Sequence, residues 1–290
     1  MNKFTFGKVE SKNFTFTGLK IEQKNDAIFI DQDEYIQSLE PIIIEKAIDK
    51  KEKLSKKKFT EYRALTGQLS WAAENTRPDL SFDVRELSTR NKEATYADLK
   101  KANKVLKKAQ KERVAVKFSK LGKLDELKVL AYTDSSYRND DQKVKSVGGR
   151  CIALVNDKGE SSPLAWKSKT IQQVCKSVKT AETRSLELGM EDSIYMARML
   201  KEIYTGKVSE KQIPVEVKID SKTLLDSIAS TKQVDEKTIR HLIAWIKEQK
   251  EEGKVKDIDW VCSEEMLADD FTKANVKTNA ILNFIKKGNI

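Results

Sequence analysis

The sequence is poor in the residues on which several kinds of active site depend. It contains one histidine and three cysteines among 290 residues. Cys151, Cys175 and Cys262 are far apart and odd in number, which argues against a disulfide framework, and they lack the paired spacing of a zinc site. His241 lies in an amphipathic helical pattern, where we expect a structural role. Hydrolysis by a Ser-His-Asp triad therefore has little support.

Long apolar runs are also missing. No run of about 18 apolar residues occurs, so the sequence excludes a membrane-spanning segment. The first five residues, Met1 to Thr5, contain no apolar core of the signal-peptide type. We therefore expect an intracellular protein with no membrane partner.

Charge is abundant and biased toward the basic side. Lys and Arg number 55 against 45 Asp and Glu, which gives a formal net charge of +10. Either Lys is simply the favoured surface residue, or a basic patch binds a polyanion such as nucleic acid. The lysines on the outer face of a predicted helix over 96–111 have the same two interpretations: a solvated face, or a surface that follows phosphates.

The first part of the chain predicts a small region of strands followed by helices. Residues 14–22 alternate in a strand-like way, a polar turn follows, and residues 27–30 run back, which predicts a β-hairpin. Apolar residues at helical spacing then predict helices that begin near Phe59, Pro78 and Tyr96. A loop over 121–126 places a domain boundary near residue 122.

From residue 123 the pattern is that of an α/β domain. Strands are predicted over 128–132, 146–155, 163–167, 215–220 and 257–261. Helices are predicted over 179–204, 222–229, 236–249, 267–274 and 279–287. This order predicts a mixed five-stranded sheet flanked by helices. The predicted domains are therefore residues 1–122, the smaller hairpin-plus-helices region, and residues 123–290.

Four acids occupy informative places on this predicted sheet. Asp134 ends the first strand, Glu182 lies in the first turn of the long helix, Asp220 ends the fourth strand, and Asp269 lies on the helix after the fifth. If the first strand is central, Asp134 and Asp220 meet at one edge, and the two helices can bring the other acids there. Each acid alone also fits an ordinary role, such as a turn former or a helix-start charge. Their joint placement favours a shared site.

Carboxylates that share a site repel one another when they are desolvated together, and a divalent cation neutralises that repulsion. Hard oxygen ligands that leave room for waters and phosphate oxygens suit Mg²⁺, with Mn²⁺ as a substitute. Two such ions, roughly 4 Å apart, can activate water on one side of a phosphodiester and stabilise the leaving oxygen on the other. The pattern therefore predicts phosphodiester hydrolysis that needs no side-chain nucleophile.

The segments around the four acids resemble a known family. Those over 132–137, 179–187, 219–222 and 267–273 are similar to the ribonuclease H domain of copia-type retrotransposon polyproteins. Upstream, residues 62–69 and 76–80 resemble the thumb and connection segments that follow a reverse transcriptase palm. Residues 16–21 resemble the hairpin just after that palm. The resemblance covers roughly residues 14 to 287.

This resemblance implies a ribonuclease H-like fold and cleavage of the RNA strand of an RNA–DNA hybrid, leaving 3′-hydroxyl and 5′-phosphate ends. The implied catalytic and metal-binding residues are Asp134, Glu182, Asp220 and Asp269. The implied substrate contacts are Ser135, Ser221 and Lys222. The expected partners are a hybrid recognised by its backbone and 2′-hydroxyls, and the palm region of the same polyprotein. The location would be cytoplasmic, in virus-like particles, or nuclear.

The sequence also departs from the family. It lacks the Tyr-x-Asp-Asp motif of the palm, so this chain alone should not polymerise DNA. Many ribonucleases H have a histidine in the loop before the last acid, where this chain has Ser263, Glu264 and Glu265, which leaves product release unexplained. Asp270 could exchange roles with its neighbour Asp269, although the family pattern favours Asp269.

Two other functions stay open at this point. The chain could be a catalytically silent, nucleic-acid-binding remnant of a retroelement, although it retains all four acids. It could also be a nuclease or integrase of related fold that acts on DNA. That function needs only three acids and is less consistent with the thumb-like N-terminal part.

Overall fold

The computed structural model describes residues 10–45, 49–137, 145–208, 212–232, 234, 236–274, 276 and 280–290. In its first part an antiparallel sheet packs with helices. The strands are β1 (Asn13–Phe16), β2 (Leu19–Lys24), β3 (Ala27–Asp31) and β4 (Ala115–Ser119), in that order across the sheet. The helices are α1 (Asp33–Gln37), α2 (Lys56–Asn75), α3 (Ser81–Thr89) and α4 (Tyr96–Lys111).

The predicted hairpin contains one more turn than the alternation indicated. Residues 14–22 form two strands, because Thr17 and Gly18 both adopt positive φ angles, of 49° and 81°. Phe16 consequently pairs with Leu19 across a two-residue turn. Positive φ at both central residues matches the right-handed twist of the flanking strands. The result is a three-stranded meander that β4 extends.

The helices of this part bury the stripe that the sequence predicted. Tyr62, Leu69 and Ala72 on α2 are fully buried, as is Leu99 on α4. Helix α4 has the predicted bounds because Thr95 and Asp98 form a capping box at its start. The Asp98 carboxylate accepts a hydrogen bond of 2.9 Å from the Thr95 amide.

The second part is a five-stranded mixed sheet flanked by helices, which confirms the α/β architecture predicted for this part of the chain. Its strands are β5 (Leu127–Ser136), β6 (Val147–Asn156), β7 (Ser161–Thr170), β8 (Val215–Ile219) and β9 (Asp257–Trp260). Its helices are α5 (Val178–Thr205), α6 (Lys222–Ala229), α7 (Arg240–Glu251) and α8 (Ala280–Lys287). The sheet order is β7-β6-β5-β8-β9. Strands β5, β6 and β7 are antiparallel, whereas β8 and β9 run parallel to β5. Central β5 therefore has a parallel and an antiparallel neighbour.

Side chains along β5 alternate between two cores, as the period of a strand requires. Val129 and Ala131 pack with Leu186 of α5 in one cluster. Leu130 and Tyr132 face the opposite cluster, which includes residues of α8. No described helix combines the length and apolar composition that a bilayer span requires.

The two parts share one of these cores. Val114 and Val116, next to and within β4, lie in the same buried cluster as Ile281 and Phe284 of α8. The indole nitrogen of Trp166 on β7 also donates to the Ala73 carbonyl at 2.8 Å. The division into domains 1–122 and 123–290 stays a prediction, and the packing ties the two regions together.

Candidate metal centre

Three aspartates converge at one edge of the five-stranded sheet. Asp134 lies on β5, Asp220 directly follows β8, and Asp269 lies in the 3-10 segment Leu267–Phe271. One carboxylate oxygen from each lies within 4.8 Å of the others. Because β5 and β8 are parallel neighbours, their acids reach the same edge. The structure thus brings together three of the four acids that the sequence singled out.

Asp134 lies within its strand and does not end it, which corrects the predicted strand bounds. Strand β5 continues to Ser136 because β6 pairs with it throughout, with Asp134 opposite Gly149. A Cβ atom at Gly149 would come within 2.8 Å of the Ala268 carbonyl oxygen. The missing side chain therefore allows the segment with Asp269 to pack against the sheet beside Asp134.

Glu182 lies beside this trio and outside the group of oxygens within 4.8 Å of one another. It is buried on α5, one residue beyond the first turn that the sequence predicted for it. Its Oε1 accepts the Ser135 hydroxyl at 2.8 Å. Ser185, one turn further along α5, donates to the Asp134 main-chain carbonyl at 2.6 Å. These two bonds tie α5 to β5 at the level of the acids.

Two neighbours of Asp134 were not assigned a role from the sequence. The hydroxyl of Thr272, which is 1% exposed, donates to Asp134 Oδ2. The ammonium group of Lys273 lies 2.7 Å from Asp269 Oδ1 and 3.7 Å from Asp134 Oδ2. The position of Lys273, four residues after Asp269, could have indicated their ion pair from the sequence, because residues at this spacing lie on one face of a helix. No local pattern links Thr272 to Asp134.

Burial and the charges of neighbouring acids raise the pKa values of Asp134, Glu182 and Asp220. Desolvation raises the pKa of Asp134 to about 7, and the charges of Asp269 and Asp220 add to the rise, against the opposing effects of Thr272 and Lys273. Desolvation and the charge of Asp134 raise the pKa of Glu182 to about 8. The pKa of Asp220 is also raised, mainly by burial. Such a set of crowded oxygen ligands fits a hard divalent cation, which would favour the charged form of each group.

The predicted substrate contacts occupy different surroundings. Ser135 is buried and its hydroxyl binds Glu182. Ser221 is half-buried immediately before α6, whereas Lys222 is exposed, with its ammonium 4.2 Å from the ring centroid of Trp260. The Trp260 indole, 42% exposed, donates to the Asp220 carbonyl at 3.1 Å. Lys222 and Trp260 therefore form an exposed surface next to the acids, and all three substrate contacts stay predictions.

Asp270 points away from the three aspartates. It lines a cavity of about 360 Å³ together with Asp79, Asp83 and Lys108 of the first part of the chain. Burial raises its pKa to about 7. Asp269, and not Asp270, therefore lies with the other acids, which is the arrangement that the family pattern favoured. His241 is exposed on α7.

The solved structures to which this chain is similar include two of a ribonuclease H1 and one of a viral protease-reverse transcriptase. A ribonuclease H1 isolated from compost by a metagenomic approach is 23% identical, with a TM-score of 0.36, over 50% of this chain and 91% of that one. The same type of enzyme in complex with an RNA/DNA hybrid is 22% identical, with a TM-score of 0.35, over 50% of this chain and 93% of that one. The prototype foamy virus protease-reverse transcriptase is 18% identical, with a TM-score of 0.33, over 58% of this chain and 21% of that protein.

No family model matches the chain, and no curated protein matches it. The similarities to solved structures concern the fold, and their TM-scores are below 0.5. The evidence for the chemistry of the site therefore lies in the residues of this chain.

Proposed function

We propose that this chain is a metal-dependent endoribonuclease that hydrolyses the RNA strand of RNA–DNA hybrids. The observation that carries the proposal is the approach of Asp134, Asp220 and Asp269 to within 4.8 Å, with Glu182 buried beside them. Phosphodiester hydrolysis at such a site needs neither a histidine nor a serine nucleophile. This agrees with a chain whose only histidine is exposed.

In this proposal the four acids hold two Mg²⁺ ions, for which Mn²⁺ can substitute. The ions would supply an activated water and charge stabilisation for the leaving oxygen. The chain supplies orientation: Thr272 fixes the carboxylate of Asp134, and Ser135 fixes that of Glu182. Because Asp134, Glu182 and Asp269 are buried, water has limited access to three of the four side chains that would bind the ions.

The proposed substrate contacts lie on the exposed surface beside Asp220. Lys222 offers a positive charge for a backbone phosphate, and Trp260 offers a partly exposed aromatic face for a sugar or base. Such contacts recognise the shape and charge of a hybrid with little readout of its sequence. Ser221 completes the proposed contact set at the start of α6.

We further propose that the chain derives from a copia-type retroelement reverse transcriptase. The sequence resemblance over residues 14 to 287 supports this origin. The first sheet is also consistent with a missing partner, because β1 is an edge strand on which Phe16 is 62% exposed. The palm region of the polyprotein would cover that edge. The proposed location is intracellular, in cytoplasmic particles or the nucleus, and imaging of the tagged chain tests it.

The decisive experiment is a cleavage assay with labelled RNA–DNA hybrid, RNA duplex and DNA duplex in Mg²⁺, in Mn²⁺ and in chelator. We expect cleavage of the hybrid's RNA strand with either ion, none in chelator, and a loss of at least about a hundredfold in Asp134→Asn. Asp259→Asn is the matched control, because Asp259 lies on β9 of the same sheet and pairs with Lys218 at 2.7 Å.

Other outcomes distinguish the other functions. Binding of the hybrid without cleavage, unchanged in Asp134→Asn, would identify a silent binding protein. Cleavage of duplex DNA but not of the hybrid would identify a DNA nuclease. Either result would overturn the proposed activity.

A further inference from the structure

The Lys273 side chain lies among the carboxylates of the candidate metal centre. Its ammonium is 2.7 Å from Asp269 Oδ1 and 3.7 Å from Asp134 Oδ2. The side chains of those two acids are only 13% and 2% exposed, whereas that of Lys273 is 42% exposed. The lysine is therefore much more exposed than either acid that it contacts.

An ammonium at this place and a divalent cation bind the same oxygens. A metal ion bound by Asp269 Oδ1 would share that oxygen with the Lys273 ammonium, which lies 2.7 Å from it, and the two positive charges would repel each other. The lysine neutralises part of the repulsion among the acids, as a metal ion would. Binding of a metal ion at the three aspartates thus favours departure of the lysine from them.

A place for the displaced ammonium lies next to the site. Lys273 also lines the cavity of about 360 Å³ that Asp79, Asp83 and Asp270 border. Asp270 Oδ2 is buried, and no described residue donates a hydrogen bond to it. A buried acceptor without a donor carries a free-energy cost that an arriving ammonium removes.

We propose that Lys273 is an internal counter-ion that competes with the catalytic metal and moves to Asp270 when the metal binds. The inference rests on the proposed function, since it assumes that the three aspartates bind a divalent cation. Lys273 thereby sets the metal concentration at which the site fills. When no metal is bound, its positive charge also reduces the repulsion among the carboxylates and so stabilises the fold.

The first test measures Mn²⁺ affinity of the full chain without nucleic acid, by electron paramagnetic resonance of free Mn²⁺. We expect Lys273→Met to bind Mn²⁺ about tenfold more tightly, the factor that a charge-assisted hydrogen bond contributes to an equilibrium. Lys58→Met is the matched control, since Lys58 also pairs with one acid, Glu61, at 2.8 Å. It should leave the affinity unchanged. Lys273→Gln, which keeps a hydrogen-bond donor without the charge, should behave like Lys273→Met.

The second test asks where the ammonium goes, using a double-mutant cycle with Asp270→Asn. In the wild-type background Asp270→Asn should weaken Mn²⁺ binding about threefold, because the displaced lysine loses its acceptor. In the Lys273→Met background the same change should have no effect. An equal effect of Asp270→Asn in both backgrounds would overturn the proposed movement.

The results separate this inference from the proposed function. Equal Mn²⁺ affinity of wild type and Lys273→Met, in a chain that cleaves the hybrid, would overturn the inference and leave the function standing. Tighter Mn²⁺ binding by Lys273→Met, in a chain that cleaves no hybrid, would support the inference and contradict the function. A thermal melt without metal adds a further readout. Lys273→Met should melt at a lower temperature than wild type, and Mn²⁺ should restore it.

Discussion

The hydroxyl of Thr272 donates a hydrogen bond to the Asp134 carboxylate, although 138 residues separate the two in the chain. Thr272 is itself fixed, since it is 1% exposed and lies just after the segment Leu267–Phe271. The central ligand of the candidate site therefore takes its orientation from the same segment that supplies Asp269.

Thr272→Val tests the value of that orientation. Valine keeps the shape of threonine and removes the donor, so we expect hybrid cleavage to fall about 10- to 100-fold with little change in KM. Thr66→Val is the matched control. Thr66 is also buried, and its hydroxyl donates a hydrogen bond of 2.8 Å to the main-chain carbonyl of Tyr62 in its own helix. Equal losses of activity in the two variants would contradict a role for Thr272 at the site.

Thermal stability in chelator should fall as the pH rises from 5.5 to 8. The pKa values of Asp134 and Glu182 are raised to about 7 and about 8, above the values of roughly 4 expected in the unfolded chain. The folded state therefore binds protons more readily than the unfolded state. The stability that this gives is fully present below the pKa values of the unfolded chain, and it is lost as the pH rises through the pKa values of the folded protein. We expect the Tm to drop by roughly 5 °C, and Mg²⁺ should largely restore it.

Two comparisons sharpen the pH measurement. Carboxylates with lowered pKa values, such as Glu216 and Glu236, are already ionised at pH 5.5 and do not contribute in this window. Asp134→Asn should show a smaller pH dependence than wild type. A Tm that rises from pH 5.5 to 8 in chelator would contradict the proposed repulsion among the acids.

Gly189→Ala should destabilise the fold, because a Cβ at this position would overlap with Thr133 Cγ2 on β5. We expect a loss of about 1 to 3 kcal/mol in the free energy of unfolding, measured by urea denaturation. Gly67→Ala, at an exposed position on α2, provides the contrast, since nothing lies within 4 Å of its added Cβ. That change should stabilise the protein by about 0.5 to 1 kcal/mol.

Phe284→Ala tests whether the two parts of the chain unfold together. Phe284 is 2% exposed, in the cluster that contains Val116 of the first sheet. We expect a loss of about 3 to 5 kcal/mol and lower hydrogen-exchange protection in both α2 and α7. Tyr195→Ala, at a position that is 64% exposed, should change stability by less than about 0.5 kcal/mol. Loss of protection in α7 alone would favour independent domains.

Periodicity predicted the buried strands and long helices well, because each carries a regular apolar pattern and clear end signals. Helix α4 is an example, with Thr95 as its cap and an uninterrupted buried stripe. Local pattern failed where tertiary contacts override composition. The polar residues after Tyr132 predict that the strand ends at Asp134, yet pairing with β6 continues it to Ser136.

The approach of three of the four predicted acids could be predicted from the sequence, whereas the residues that hold them in place could not. Strand and helix ends placed Asp134, Asp220 and Asp269 at one edge, which the topology of a mixed sheet requires. The hydrogen bond from Thr272 and the ion pair of Lys273 depend on how the segment 267–273 packs. That segment is a 3-10 stretch from Leu267 to Phe271, shorter and tighter than the α-helix predicted over 267–274. Its packing depends on Gly149, which no helical rule reveals.

The four acids reside on elements that meet only in the completed sheet: β5, α5, the end of β8 and the segment after β9. A chain in which these elements have not yet packed together keeps its acids apart. If the acids act together as proposed, such a chain is harmless to RNA. The topology would then allow nuclease activity only in the completely folded protein, so that activity reports complete folding.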